Sequence, residues 1–393
     1  MQKFRSWFKL YFRETDKLLF FLCLCASAFG MLLVYSATKN GATKLIPSEL
    51  RTMIIAVAAG LILCLLISFL DYEVIIRLWP LVAIFCVLIM CALFIWGSAP
   101  PARPDARSWF DLKIFYFQPS ELVKIGFIIT FAVHLDAVKD HVSKFTTVLL
   151  LGIHALIPIG LVMATGDDGS ALIFMLMFLG MMFAAGVHWG YFAAGFAAVA
   201  VAFPAIWALG DKFILNQDQK SFSCHSLSGS LRKNEAFQQN RGIGAIGSGQ
   251  FFGQGLFNGN YTQSGAVPEN QNDFVFSVAG EELGFIGAIA VLVLLAAIIL
   301  RIVINGKRAN DNASYLMCMG MASMLAAQVI INIGMVLQWL PVIGITLPFF
   351  SAGGSSNLCV YIGIGLMMSI YRFNQKTPVA NFRLQRVVTR FST

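Results

Sequence analysis

Apolar residues in this chain come in long uncharged runs. Ten can be read, at 17–38, 50–71, 74–97, 119–138, 145–165, 168–187, 189–209, 273–304, 314–340 and 347–371. Each is long enough to cross the ~30 Å hydrocarbon layer of a bilayer as a helix. None alternates apolar and polar residues with the period of two that marks a barrel strand. The pattern predicts an all-α polytopic membrane protein with ten transmembrane helices. It leaves a tail at 1–16, a membrane domain at 17–371 with a large loop at 211–272 between the seventh and eighth helices, and a second tail at 372–393.

Composition agrees. Of 393 residues, 58% are hydrophobic and only 12% charged, too little polar surface for a soluble chain of this length. The charges that exist give an orientation. Lys3, Arg5, Lys9 and Arg13 precede the first run, Lys17 opens it, and Arg372, Lys376, Arg383, Arg386 and Arg390 follow the last. An even number of spans puts both tails on one side, and the excess of Lys and Arg makes that side the cytoplasm. Lys307 and Arg308, in a loop on the same side, agree. The net charge of +8 is explained by these tails, so no nucleic-acid partner is needed. The first run is too long for a signal-peptide core and is expected to be retained. Seven of the eight cysteines lie in or beside apolar runs, where they pack as small apolar residues. Cys224, beside His225, sits in the large loop with no partner for a disulfide and no further ligand for a metal.

On the outer side the first polar insertion runs from Gly97 to Pro119. It mixes Arg103, Arg107 and Lys113 with Trp109, Phe115, Tyr116 and Phe117, as suits a segment lying along a membrane interface. The second, 211–272, is too long to be a simple connector. Lys39, Lys44, Arg51, Lys212, Lys220, Arg232, Lys233 and Arg241 add further outer cations against the usual bias. Two readings stay open: long loops cross whatever their charge, or the outer face meets an anion such as a lipid diphosphate. GIGAIG at 242–247 matches G-x-G-x-x-G, but it lies between membrane helices, without the strand and parallel sheet a dinucleotide site requires. Its glycines, and those of GSGQFFGQGLFNGN after it, predict tight turns and close backbone approach to another surface.

Polar residues inside the runs are few. Glu121 and Lys124, three apart, share a helix face and can pair, either bracing neighbouring helices or lining a cavity. Gln328 and Asn332, four apart, suit hydrogen bonding between helices. His154 reads as a satisfied interior histidine. Glu281 and Glu282 diverge by about 100°, so at least one must face protein or water. Asp273 stands where the large loop enters the eighth run. A carboxylate half in water and half against apolar walls suits a general base. It also suits an ordinary helix N-terminal charge, favoured by the dipole.

PENQNDFVFSVAGEELGFIG at 268–287 resembles the PE-x-x-x-DF-x-F-x-x-x-x-EELG-x-x-G signature of the SEDS family (shape, elongation, division and sporulation), the RodA and FtsW group. FQPSELVK at 117–124, AIGSGQFFGQGLFNG at 245–259 and NIGMVLQWLPVIGITLPFFSAGGSS at 332–356 are similar to further stretches of that family, and GDDGSA at 166–171 is a weaker echo. The resemblance implies a ten-helix fold and peptidoglycan glycosyltransferase activity. Such an enzyme polymerises lipid II, the undecaprenyl-diphosphate-linked disaccharide-pentapeptide, at the outer membrane face, beside a class B penicillin-binding protein that crosslinks the glycan. The family's essential Asp falls on Asp273, and its paired Glu and Lys on Glu121 and Lys124. Arg107, Gln118, Ser351 and Ser355 complete the expected substrate-binding set, and a divalent cation (Mg or Mn) is the expected cofactor for charge on the diphosphate. The chain departs from the family at Ser108, where Arg usually precedes the Trp, at Ala352 in place of Tyr, and at Gln338 where Gly is frequent. Residues 221–237 match none of its motifs. Two other classes stay open on the residues alone: a lipid-precursor flippase, which moves substrate without making a bond, and a non-catalytic scaffold in which Asp273 only caps a helix.

Overall fold

The computed structural model describes residues 14–39, 46–99, 107–113, 116–198, 200 and 231–376, with backbone alone at 231–235 and 375–376. Expectations that fall on tail residues 1–13 and 377–393, on Lys44, Arg103, Phe115, Lys212, Lys220, Cys224 and His225, and on 201–209 and 221–230 lie outside these residues. So do those on the side chains of Arg232 and Lys233.

Helices run back and forth between two ends, which we call the Asp16 end and the Asp273 end. α1 (Lys17–Thr38) leaves the Asp16 end, α2 (Ser48–Phe69) returns, and α3 (Tyr72–Arg77) with α4 (Trp79–Trp96) leads out again. A two-stranded antiparallel hairpin follows, β1 (Phe110–Asp111) against β2 (Tyr116–Phe117), pairing Phe110 with Phe117. Next come α5 (Pro119–Ala137), α6 (Phe145–Ala164), α7 (Asp168–Ala184) and helical backbone over 189–198. α8 (Leu231–Gly249) and α9 (Asn260–Gln263) lie at the Asp273 end. The chain closes with α10 (Val275–Glu282), α11 (Gly284–Lys307), α12 (Asn312–Val336) and α13 (Gly354–Lys376).

Among the described residues seven helices are long and apolar enough to cross a membrane: α1, α2, α4, α6, α11, α12 and α13. α7 is apolar but shorter. α5 carries Glu121, Lys124 and Asp136, yet is buried along most of its length. The protein is a helical multi-pass membrane protein. Phe21, Ile62, Leu81, Leu156, Phe183, Val293 and Ile330 are exposed around the bundle, as side chains facing lipid should be. Exposed tryptophans mark both ends, Trp79 and Trp189 at one, Trp96 and Trp339 at the other.

Local chemistry sets the boundaries. Asp16, Asp71, Asp167 and Asp311 each accept a hydrogen bond from a backbone N–H two or three residues on, capping α1, α3, α7 and α12. The helix expected over 74–97 is broken at Leu78, because Pro80 has no N–H to give and is tolerated only in a first turn. The helix expected over 273–304 is broken at Gly284, whose φ is +67°. A Cβ there would collide with the Gly253 nitrogen and the Phe251 carbonyl, so only glycine fits. The last helix starts at Gly354 rather than 347, with turns before it. The 211–272 stretch also departs from the expected loop. The GIGAIG glycines lie within helix α8, not in turns, although the close approach predicted for the glycines that follow is real: a Cβ on Gly249 would meet the Gly280 and Glu281 carbonyls of α10.

At the core, the Tyr361 hydroxyl of α13 shares a 2.7 Å hydrogen bond with Ser27 of α1, and its ring lies over Gly60 of α2. At the Asp16 end the Asp16 carboxylate accepts from Arg301 Nε at 2.8 Å and Asn305 Nδ2 at 2.6 Å, tying α1 to α11. The two ends are thus built differently: among the described residues a buried ion pair ties one together, while the other opens into a cavity.

Candidate active site

The cavity at the Asp273 end has a volume of about 960 Å³. First turns of α2, α5, α7 and α13 reach its wall, together with the hairpin, the 268–273 segment, Gln238 of α8 and the 342–346 and 352–353 segments. Helix N-termini carry partial positive charge. Glu49, Glu121 and Asp168 offset it on α2, α5 and α7, whereas α13 has no acidic residue in its first turn. Of the residues expected from the sequence, Asp273, Glu121, Lys124 and Gln118 all line this one cavity.

Pro119 opens α5, and the next turn brings Glu121 and Lys124 onto one face. Lys124 Nζ donates to Glu121 Oε1 at 2.8 Å, and the residues are 1% and 7% exposed. Pairing is what permits two charges at that depth. Next to them, Asp167 Oδ2 accepts from Gln118 Nε2 at 2.6 Å and Ser120 Oγ at 2.9 Å, while Oδ1 caps α7 through the Ser170 N–H. Asp167 thereby locks the start of α5 to the start of α7. Sequence reasoning gave it no role; its signal was the GDDGSA echo.

Asp273 lies just before α10, in a turn. Glu269 is the second residue missed. It lines the cavity at φ +52°, and its carbonyl accepts the N–H groups of both Asn272 and Phe274. Its signal was the proline–glutamate pair that begins the motif.

Ser351 and Ser355, expected on the substrate, do not line the cavity. Both hydroxyls are spent on backbone. Ser351 Oγ donates to the Asn272 carbonyl at 2.6 Å and accepts from Leu347 N. Ser355 Oγ donates to the Tyr116 carbonyl and accepts from Gln118 N, each at 2.9 Å. Arg107, also expected there, is exposed and off the wall; Ser108, 3% exposed, occupies that part of the wall instead. The lysines on the described wall are Lys124 and Lys113 of the hairpin. Lys39 stacks on Phe257, and Arg241 lies over Phe237 and Tyr261. Gln338 stands at φ +63°, the backbone state that makes glycine convenient there, and Ala352 lines the cavity.

Glu281 and Glu282, both 0% exposed, have structural work. Glu281 accepts from the Tyr261 and Thr262 backbone N–H groups and from the Thr262 hydroxyl. Glu282 accepts from Ser36 Oγ, Gln263 Nε2 and Phe257 N. Neither lines the cavity; they hold the 257–263 segment onto the bundle. His154 is likewise engaged, with His134 at 3.0 Å and Thr130 at 3.3 Å.

The donor set does not fit a protein-held divalent cation. Among the described residues no three His, Cys, Asp or Glu side chains are grouped to hold a metal, and Glu121 and Asp167 are committed to the contacts above.

Three comparisons bear on the whole chain. A family model described as "Cell cycle protein", FTSW_RODA_SPOVE, matches residues 16–376. The chain is 29% identical over 373 residues to a probable peptidoglycan glycosyltransferase FtsW of Trichlorobacter lovleyi, covering 91% of this chain and 93% of that one. It is 29% identical over 363 residues to the peptidoglycan glycosyltransferase MrdB of Escherichia coli K12, covering 91% and 94%. A solved structure described as "Structural coordination of polymerization and crosslinking by a peptidoglycan synthase complex" superposes with a TM-score of 0.76 at 26% identity. That match covers 92% of this chain and 99% of the solved one.

Proposed function

The chain belongs to the FtsW, RodA and SpoVE family of cell cycle proteins, and from that premise we propose that it is a peptidoglycan glycosyltransferase polymerising lipid II with Asp273 as general base. The observation that carries this reading is one cavity holding Asp273 together with the buried Glu121–Lys124 pair.

The acceptor's GlcNAc 4-hydroxyl is a weak nucleophile at neutral pH. The Asp273 carboxylate takes its proton as the oxygen attacks C1 of the lipid-linked chain. The bond from C1 to the diphosphate breaks, undecaprenyl diphosphate leaves with the electron pair, and Asp273 later returns its proton to water. Such proton transfer typically contributes ~10²–10⁴-fold. Lys124 and Lys113 line the cavity where charge develops on the leaving diphosphate, and fixed cations in a partly dry site stabilise it. A cavity at one end of a membrane bundle suits a substrate with a polar head and a lipid tail. In this reading the Asp273 end faces outward, both termini are cytoplasmic, and a class B penicillin-binding protein crosslinks the product.

Incubating the purified protein with lipid II, alone and with its cognate penicillin-binding protein, tests this on a glycan gel. The expected result is a ladder of polymer with release of undecaprenyl diphosphate. Lipid II that crosses vesicle membranes without chain growth would contradict it and identify a flippase.

A further inference from the structure

We propose that Asn332 and Ser351 are positioning residues for Asp273, an inference that rests on the general-base reading above. Three consecutive carbonyls, ending at Asp273 itself, each accept one hydrogen bond from the α12–α13 segment. The Ala352 N–H donates to Gln271 O at 2.9 Å, the Ser351 hydroxyl to Asn272 O at 2.6 Å, and the Asn332 amide to Asp273 O at 2.8 Å. These donors are themselves held. Asn332 Nδ2 also donates to Ile345 O at 2.7 Å, Leu347 N donates to Ser351 Oγ at 2.8 Å, and Asn357 Nδ2 donates to Ser351 O at 2.8 Å. Asn332 is 0% and Ser351 1% exposed, and neither lines the cavity, so neither touches substrate.

Asp273 needs this support because no helix supplies it. α10 begins only at Val275, so residues 271–273 lie outside its hydrogen-bond ladder. A side chain goes where its backbone puts it, and a 1 Å misplacement of a reacting group costs on the order of 10²-fold in rate. Buried donors are stronger and more directional than exposed ones. Gln328, one turn earlier on α12 and equally buried, shows what an amide there looks like without this duty: neither of its amide atoms has a hydrogen-bond partner among the described residues.

The test is the initial rate of glycan polymerisation against lipid II concentration, with the cognate partner present, per folded molecule as counted by gel filtration. Asn332→Ala and Ser351→Ala should lower kcat about 10- to 100-fold with KM within about twofold. Ser351→Thr, which keeps the hydroxyl, should recover most of the loss, and Gln328→Leu should match wild type. Should Asn332→Ala fail to fold, the Ser351 pair decides alone. Wild-type kcat in Ser351→Ala, a change in KM only, or a loss that Ser351→Thr does not recover would overturn the proposal. Asp273→Asn, run alongside, separates the two readings. If it is inactive while Ser351→Ala turns over normally, the general base stands and the positioning role falls. If it is fully active, both fall.

Discussion

Burial at single positions separates the carboxylates of this chain by role. Glu281 and Glu282 are sealed from solvent and surrounded by neutral donors, Glu121 is neutralised by a lysine three residues on, and Asp273 lines a cavity wall. The Glu121–Lys124 pair was legible in the sequence because its spacing of three is a local property of helices. The partners of Glu282 were not, since Ser36 lies 246 residues away and nothing local announces it. The same holds for Ser351 and Ser355, whose motif named them but whose hydroxyls serve backbone of distant segments. Buried pairing makes a sharp prediction. Lys124→Met strands the Glu121 charge and should cost about 3–5 kcal/mol, read as a fall in thermal unfolding temperature. Glu121→Gln combined with Lys124→Met should recover much of it, because a neutral amide no longer lacks a cation.

For whole elements, the apolar runs located the membrane helices well and their breaks poorly. Runs at 17–38, 145–165 and 168–187 became α1, α6 and α7 with ends within three residues. The 273–304 run became two helices because hydrophobicity carries no record of a left-handed residue in its midst. α8 was missed for the opposite reason: glycines read as turns serve there as flat helix surface against α10. Gly284→Ala tests the junction. It forces a Cβ into backbone at a positive φ and should destabilise the protein by more than about 1 kcal/mol, again measured by thermal unfolding. A neutral result would mean that α10 and α11 can join without the turn.

Across the molecule, the two ends divide the labour. Ion pairs and caps close the Asp16 end, while helix N-termini and the hairpin surround the cavity at the other. Charge bias in the sequence predicted which end faces out, and a labelling experiment checks it. Lys113→Cys, in a chain whose native cysteines are replaced by alanine, should react with a membrane-impermeant maleimide added to intact spheroplasts; labelling only after lysis would invert the orientation. The role of Asp273 is measured most directly by the single-turnover rate of glycan bond formation by Asp273→Asn, purified with its partner and saturated with lipid II. With Asp273 as general base, the rate should fall at least about 10²-fold with lipid II still bound. A rate equal to wild type would contradict that role.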